Sequence, residues 1–193
     1  MSDDPPIYNV EGELVALGPL RRDQIPTFLT WMNDFATTRM LAVQPKPHSV
    51  ERETAWFESA ATSDDGFFFA IYERSSRRVI GNCGLVAIKH PHSCAEVGIM
   101  IGDPAARGRG YGTEAMRLLL DYAFTVAGLH NVMLRVFEFN APAQRCYRKV
   151  GFKEIGRRRE CRWFNGRYWD EIYMDMLADE FESPVLKKLL APV

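Results

Sequence analysis

Residues 95–124 read AEVGIMIGDPAARGRGYGTEAMRLLLDYAF, and this stretch decides the fold. Glu96 to Ile101 (EVGIMI) has the apolar content of a strand, Gly102 to Gly110 forms a loop, and Tyr111 to Ala127 reads as a long helix. Ala115, Leu119, Ala123 and Val126 fall along one side of that helix, with Met116 and Leu120 beside them. Gly128 closes it, because glycine accepts the left-handed conformation that ends helices. Between strand and helix, Arg107-Gly108-Arg109-Gly110-Tyr111-Gly112-Thr113 sets glycines at alternate positions, so the backbone can come close to a ligand. Consecutive amides and the positive end of a helix dipole make an anion site there, and Arg107 and Arg109 carry charge suited to phosphate oxygens. The spacing is GxGxG, not the GxGxxG of a dinucleotide fold, no acid lies about 20 residues on, and no Gly-Lys-Ser/Thr is present. Taken alone the turn fits either a phosphate cradle or a flexible helix entrance.

Working outward, Glu13 to Leu20 alternates as a first strand, and Asp23 stands where an N-cap would, ahead of Ile25, Phe28, Leu29 and Met32 on one helical face. Ser49 starts a second helix carrying Trp56 and Phe57. Gly66 to Tyr72 (GFFFAIY) and Val79 to Ile88 read as hairpin partners around the polar turn Arg74 to Arg77. Beyond the long helix, Val132 to Phe139 is a strand, and Asn140 caps a short helix that accepts Pro142 in its first turn and ends at Gly151. Phe152 to Phe164 and Arg167 to Leu177 form a C-terminal β-hairpin around Asn165-Gly166, a pair that supplies the positive φ angles of a tight turn. The sum is a mixed α/β domain: a central twisted mixed sheet with a β-α-β-α core and flanking hairpins. No repeat or linker divides the chain, so residues 1–193 read as one domain, with a core of about 10–178 and a C-terminal tail of 179–193.

Twenty-four basic residues face twenty-five acidic ones, so no global field draws the chain to nucleic acid or an anionic membrane. No apolar run approaches the roughly 18–20 residues of a membrane span. The acidic, proline-containing start MSDDPPIYNV lacks a signal-peptide pattern, and a cytoplasmic protein is expected. Cys83, Cys94, Cys146 and Cys161 are scattered, and His90 and His92 lack a third ligand at metal spacing, so no metal is expected. The run Arg157-Arg158-Arg159 could meet RNA or an acidic protein, but alternation along a strand makes it a solvated edge.

The long segment quoted above, NAPAQRCYRKVGF after it and the late WFNGRYWDEIYM together resemble the GNAT superfamily of N-acetyltransferases. The similarity runs from Cys94 to Met176 and is greatest to the branch holding RimJ/RimL-like ribosomal-protein and spermidine acetyltransferases. It implies an acetyl-CoA-dependent enzyme in which the strand before the glycine loop splays from the next parallel strand and admits the pantetheine arm of coenzyme A. By this resemblance, backbone groups of Ile99, Met100 and Ile101 bond the arm, and amides from Arg107 through Gly108, Arg109, Gly110, Tyr111 and Gly112 to Thr113 wrap the pyrophosphate. Asn140 either touches the arm or serves only as a helix cap. Ala105, Ala106 and Arg107 depart from the bulkier or aromatic residues common in this branch. A homodimer is a family-level expectation.

The implied chemistry is direct attack of a primary amine on the thioester through a tetrahedral intermediate. An alkylamine with a pKa near 10 must lose a proton, and Glu96 matches an acid that works as a base through water or holds the ammonium; as an exposed residue at a strand start it could also be neither. Tyr147 matches the tyrosine beside the sulfur, a general acid for the leaving thiolate, and a backbone N–H near Met100 would serve the oxyanion. Cys146 is not a covalent nucleophile, since adjacent helix residues point about 100° apart and no base accompanies it. Trp31, Phe35, Trp163, Phe164, Tyr168 and Trp169 are candidate walls for the acceptor, and Asp34, Glu138, Asp170 and Glu171 candidate holders of a cationic amine. Because acids do not cluster, a protein or peptide N-terminus is favoured over a polyamine-like small amine. A catalytically silent acyl-CoA-binding regulatory module is the alternative.

Overall fold

The structure, a computed structural model, describes residues 5–192. Among these, one sheet contains Val10–Glu11 (β1), Val15–Gly18 (β2), Phe67–Glu73 (β3), Val79–Lys89 (β4), Cys94–Ile101 (β5), Asn131–Phe137 (β6), Lys153–Phe164 (β7) and Arg167–Leu177 (β8). The helices are Ile25–Asn33 (α1), Phe35–Thr38 (α2), Val50–Ala61 (α3), Tyr111–Asp121 (α4), Ala141–Val150 (α5) and Leu186–Leu189 (α6). The strand order is β1-β2-β3-β4-β5-β6-β8-β7, antiparallel except between β5 and β6. The mixed α/β architecture expected from the sequence is the one observed.

Alternation along β5 shows how the two faces are used. Ala95, Val97, Ile99 and Ile101 join the large core beneath α4, while Met100 turns to the opposite face and packs with Phe28 and Trp31 of α1. On α4, Met116, Leu118, Leu119 and Leu120 are all but fully buried, each worth about 1.5–3 kcal/mol relative to exposure. Val126, expected on that apolar side, is 47% exposed. The helix widens into a π turn over Tyr122–Val126, and the wider turn rotates the residues after it out of register. Gly128 follows at φ +64°.

Ser49 caps α3, accepting from the Arg52 amide, as its position suggests. Asp23 does not cap α1: it lies in a 3₁₀ turn over Arg22–Gln24, and its carboxylate pairs with Arg21 at 3.2 Å. Asn165 (φ +51°) and Gly166 (φ +80°) make the tight turn between β7 and β8. The strand β7 is a sheet edge, and residues 153–160 are exposed; Glu160 breaks its register at φ +50° beside Arg157, Arg158 and Arg159. Charge and bulges on an edge keep it from pairing with another sheet.

The segment after residue 178 packs onto α4. Leu186 is buried in the main core, and Phe181 rests against Phe124. Asp121, fully buried, accepts from the amides of Val185 and Leu186 at 3.0 and 2.8 Å and from the Thr125 hydroxyl at 3.0 Å. One carboxylate thus caps α6 and ties it to α4. No helix among the described residues is long and apolar enough to cross a membrane. Asp121→Ala leaves two amides without their acceptor, at about 1–3 kcal/mol each when buried. The expected loss is about 3 kcal/mol in urea unfolding, with earlier protease cleavage near Val185; an unchanged midpoint would refute the clamp.

Candidate active site

The sheet comes apart at its one parallel pairing. The strands β5 and β6 are matched at Cys94–Asn131, Ala95–Val132 and Glu96–Met133 and then diverge. Beyond that point β5 stays with β4 as far as Ile101, and β6 stays with β8 as far as Phe137. Backbone groups of Val97 to Ile101 that would face β6 are left without a partner strand. A cavity of about 860 Å³ opens here. Its floor is the cross-strand pairs Asn82–Met100, Gly84–Gly98 and Val86–Glu96. A Cβ built on Gly98 meets nothing within 4 Å, so at this position the hollow is bounded by backbone alone. Ile99, Met100 and Ile101, the expected partners of a pantetheine arm, therefore lie along the splayed length of β5.

Beside the splay, the glycine loop enters α4. Gly108 and Gly110 adopt φ of +73° and +86°, a region that side chains rarely enter. Among the described residues no acceptor takes the amides of Gly108, Arg109, Gly110, Tyr111 and Gly112; the Thr113 amide turns back to Gly110 O at 3.0 Å. Free amides at a helix N-terminus fit a pyrophosphate. The surrounding side chains hold this cradle in place. The Tyr111 hydroxyl donates to Glu73 at 2.6 Å, and Glu73 also accepts from Ser76, bonds that hold its carboxyl below the usual range. Glu114, in the first turn, accepts from the amides of Glu13, Leu14 and Val15 at 3.0, 2.7 and 2.6 Å, joining α4 to the turn before β2. Arg109 leans on the Tyr111 ring and remains more than half exposed. Arg107 is occupied: its guanidinium donates to the carbonyls of Ile101 and Gly102 and to the Thr37 hydroxyl, and its amide bonds Pro104 O. It fastens the loop to α2, and its side chain is not free for phosphate.

Tyr147 reaches the cavity from α5, and its hydroxyl has no partner among the described residues. Burial pushes its phenol well above the ordinary value, so it stays protonated. Neighbouring Cys146 contacts the Thr113 hydroxyl at 3.4 Å, and burial raises its thiol, which disfavours the thiolate that a nucleophile needs. Asn140 caps α5 by accepting from the Ala143 amide, and its Nδ2 donates to Met40 O, both at 3.3 Å. In this arrangement its side chain is a cap and a strap.

Glu96 lines the cavity at the last matched rung. Arg135 of β6 donates to its Oε1 at 2.7 Å and reaches toward Glu171 at 3.9 Å, while Oε2 has no partner among the described residues. The other acids proposed from sequence are used elsewhere. Asp34 caps α2 and bonds Thr37, Glu138 and Asp170 surround Arg157, and Glu171 sits behind Arg135. The aromatic candidates also lie outside the cavity: Trp31 is core, Phe35 is exposed, Trp163 and Tyr168 meet edge to face on the exposed hairpin, and Phe164 and Trp169 pack on Phe139. The cavity's aromatic wall is Trp56 and Phe68. His48, Glu53, Asn82 and Arg135 line it too, and sequence reading did not single them out. Among the described residues no three His, Cys, Asp or Glu side chains group as metal ligands.

Known proteins similar to this chain in sequence and architecture are acetyltransferases. The family described as "Acetyltransferase (GNAT) domain" matches residues 15–153. The spermidine N(1)-acetyltransferase of Escherichia coli K12 is 29% identical over 175 residues, covering 86% of this chain and 88% of that protein. The human alpha/beta-tubulin-N-acetyltransferase 9 is 25% identical over 156 residues, covering 75% of this chain and 74% of that protein. The crystal structure of spermidine N-acetyltransferase from Vibrio cholerae, in complex with CoA and spermine, superposes with a TM-score of 0.81 at 25% identity. It covers 88% of this chain and 98% of that one. With the splayed parallel pair, the amide cradle and the matched family domain in hand, the chain belongs to the GNAT acetyltransferases and is an acetyl-CoA-dependent N-acetyltransferase.

Proposed function

We propose that this enzyme acetylates a small aliphatic primary amine, with residues 10–178 as the catalytic core. The observation that carries this reading is the cavity at the splay, which brings the unpartnered Tyr147 hydroxyl and the half-free Glu96 carboxylate to one space. Two of the relatives described above are spermidine acetyltransferases, which supports a small amine. The preference for a protein N-terminus rested on acids not clustering in the sequence. In the fold two of them, Glu53 and Glu96, share one cavity. A cytoplasmic setting accords with four unpaired cysteines, which a reducing compartment preserves.

Acetyl-CoA supplies the acyl group as an activated thioester. The chain's residues do the rest. Amides 108–112 hold the pyrophosphate, and the unpaired edge of β5 from Ile99 to Ile101 bonds the pantetheine. Glu96 holds the incoming ammonium through Oε2 and passes its proton to solvent. The free amine then attacks the thioester carbonyl, and a backbone N–H near Met100 steadies the oxyanion. As the intermediate collapses the C–S bond breaks, Tyr147 gives a proton to the departing thiolate, and the proton that the nitrogen loses in becoming an amide passes through solvent to restore the phenol. A phenol held above its ordinary pKa keeps that proton throughout the range in which the amine becomes neutral.

The first test combines calorimetry with acetyl-CoA and thiol release against amines and peptides. Tyr147→Phe should keep acetyl-CoA affinity and lower kcat by about a hundredfold or more, as loss of a general acid does. Full activity in that variant would remove Tyr147 from the chemistry. The wild-type kcat/KM should climb about tenfold per pH unit from about pH 7 to 9, as the amine of pKa near 10 deprotonates, with no alkaline fall below about pH 10. A fall near pH 8 would contradict the raised phenol. Gly98→Leu points a side chain into open cavity, so stability should change by under about 0.5 kcal/mol. The kcat/KM for the amine should drop at least about tenfold, equal to about 1.4 kcal/mol; unchanged kinetics would place the acceptor elsewhere.

A further inference from the structure

Glu53, on α3, is 3% exposed and lines the cavity. A buried carboxylate ordinarily gathers donors, because desolvating the charge costs several kcal/mol unless it is repaid. The Glu53 backbone amide donates to Ser49 O at 3.1 Å, but no hydrogen bond from the described residues reaches its carboxylate. The basic group in ion-pair range is His48, whose Nδ1 lies 3.5 Å away and is itself buried without a hydrogen-bond partner; the exposed Arg52 guanidinium acts on Glu53 only from farther off. The position of His48 is set by its backbone: its amide and carbonyl both bond the Asn33 side chain at 3.0 Å, which pins the segment before α3 to α1. Burial lowers the His48 pKa, with Arg52 and Lys46 adding to that, so at neutral pH the imidazole brings no charge to the carboxylate; burial in turn raises the Glu53 carboxyl, offset in part by Arg52, and a cation in the cavity would favour its charged form. A built but unpaired carboxylate facing an open cavity is a site for an external cation.

The walls of the cavity indicate what kind of cation. Glu96 lies in the same cavity, and apolar side chains of Leu20, Met32, Trp56 and Phe68 line it as well. Two carboxylates in a space with apolar walls suit a short polymethylene chain with an amine at each end. Lys46 and Arg52 line the cavity too but are solvent-exposed, and at this rim they oppose further positive charge. We propose that Glu53, beside His48, is a specificity-determining subsite that holds the second ammonium of a short diamine while Glu96 receives the amine to be acetylated. This rests on the reading of the cavity as the acceptor site.

The test compares 1,4-diaminobutane with butylamine by thiol release. Wild type should favour the diamine by at least about tenfold in kcat/KM, a typical worth for one such contact. Glu53→Gln should erase that preference through KM for the diamine, leaving KM for butylamine and the affinity for acetyl-CoA unchanged, and Glu53→Asp should recover part of it. An equal ratio for the two amines in wild type, or a ratio that survives Glu53→Gln, would overturn the proposal. Should Glu53→Gln not fold, the exposed Arg52→Glu carries the test: it should raise kcat/KM for spermidine relative to butylamine, and no change would count against the subsite. If neither amine is acetylated although acetyl-CoA binds, calorimetry of 1,4-diaminobutane on the CoA-loaded protein separates the two ideas. Binding that Glu53→Gln abolishes sustains the subsite while the acetylation reading fails; no binding by wild type sinks the subsite.

Discussion

Every functional feature of this molecule depends on a pairing that stops after three rungs. Parallel strands have evenly spaced but slanted hydrogen bonds, and nothing in the backbone of β5 or β6 requires them to part after Glu96 and Met133. What parts them is allegiance to other neighbours. The strand β6 is matched to β8 over seven positions, and β5 to β4 along nearly all its length. The unpaired backbone edge of β5 would be costly to bury dry, and it is instead the wall that an extended ligand can complete as a strand would.

The end of this wall is made rigid before any ligand arrives. Glu73 and Glu114 act from outside the loop, one fixing the Tyr111 ring and the other joining the first turn of α4 to residues 13–15. Arg107 supplies the third brace, toward α2. With Tyr111 and Arg107 committed to these braces, the amides of residues 108–112 stay without acceptors among the described residues, and a cradle so preorganised would lose little entropy on binding an anion. The charge that most resembles a phosphate ligand in the sequence therefore works as scaffolding.

Local grammar was legible in the sequence. Ser49, Asn140, Gly128, Gly151 and the Asn165-Gly166 turn act as their residue types suggest, since caps and positive-φ turns depend on neighbours a few positions away. The order of the main strands and helices followed, whereas the splay came only through the resemblance to the acetyltransferase family. Groups whose meaning depends on distant parts of the chain were not legible. Glu53 sits in the charged string Glu51-Arg52-Glu53 and looks like a solvated helix start until α1 and the segment around His48 close over it. Arg135 reads as one exposed position in a strand until Glu96 and Glu171 flank it. Asp121 stands among leucines and becomes a cap only when a segment more than sixty residues later arrives. Val126 was misplaced because a single π turn shifts the helical phase, and no residue in YAFTV announces one.

The strand order divides the sheet into two antiparallel halves, the meander β1 through β5 and a second half in which β8 inserts between β6 and β7. In the sheet itself the two halves meet in three parallel rungs, the bonds from the His130 and Asn131 amides to Ser93 O and the Glu96–Arg135 ion pair, while a common core beneath α4 joins them below. In cooperative terms the molecule has a seam, and the cleft runs along it. Beyond Glu96 and Met133 this line has no backbone pairing across it, so the cleft follows the least-paired line of the sheet. A ligand threaded into that gap bridges both halves, and its binding free energy adds directly to the cohesion of the whole sheet.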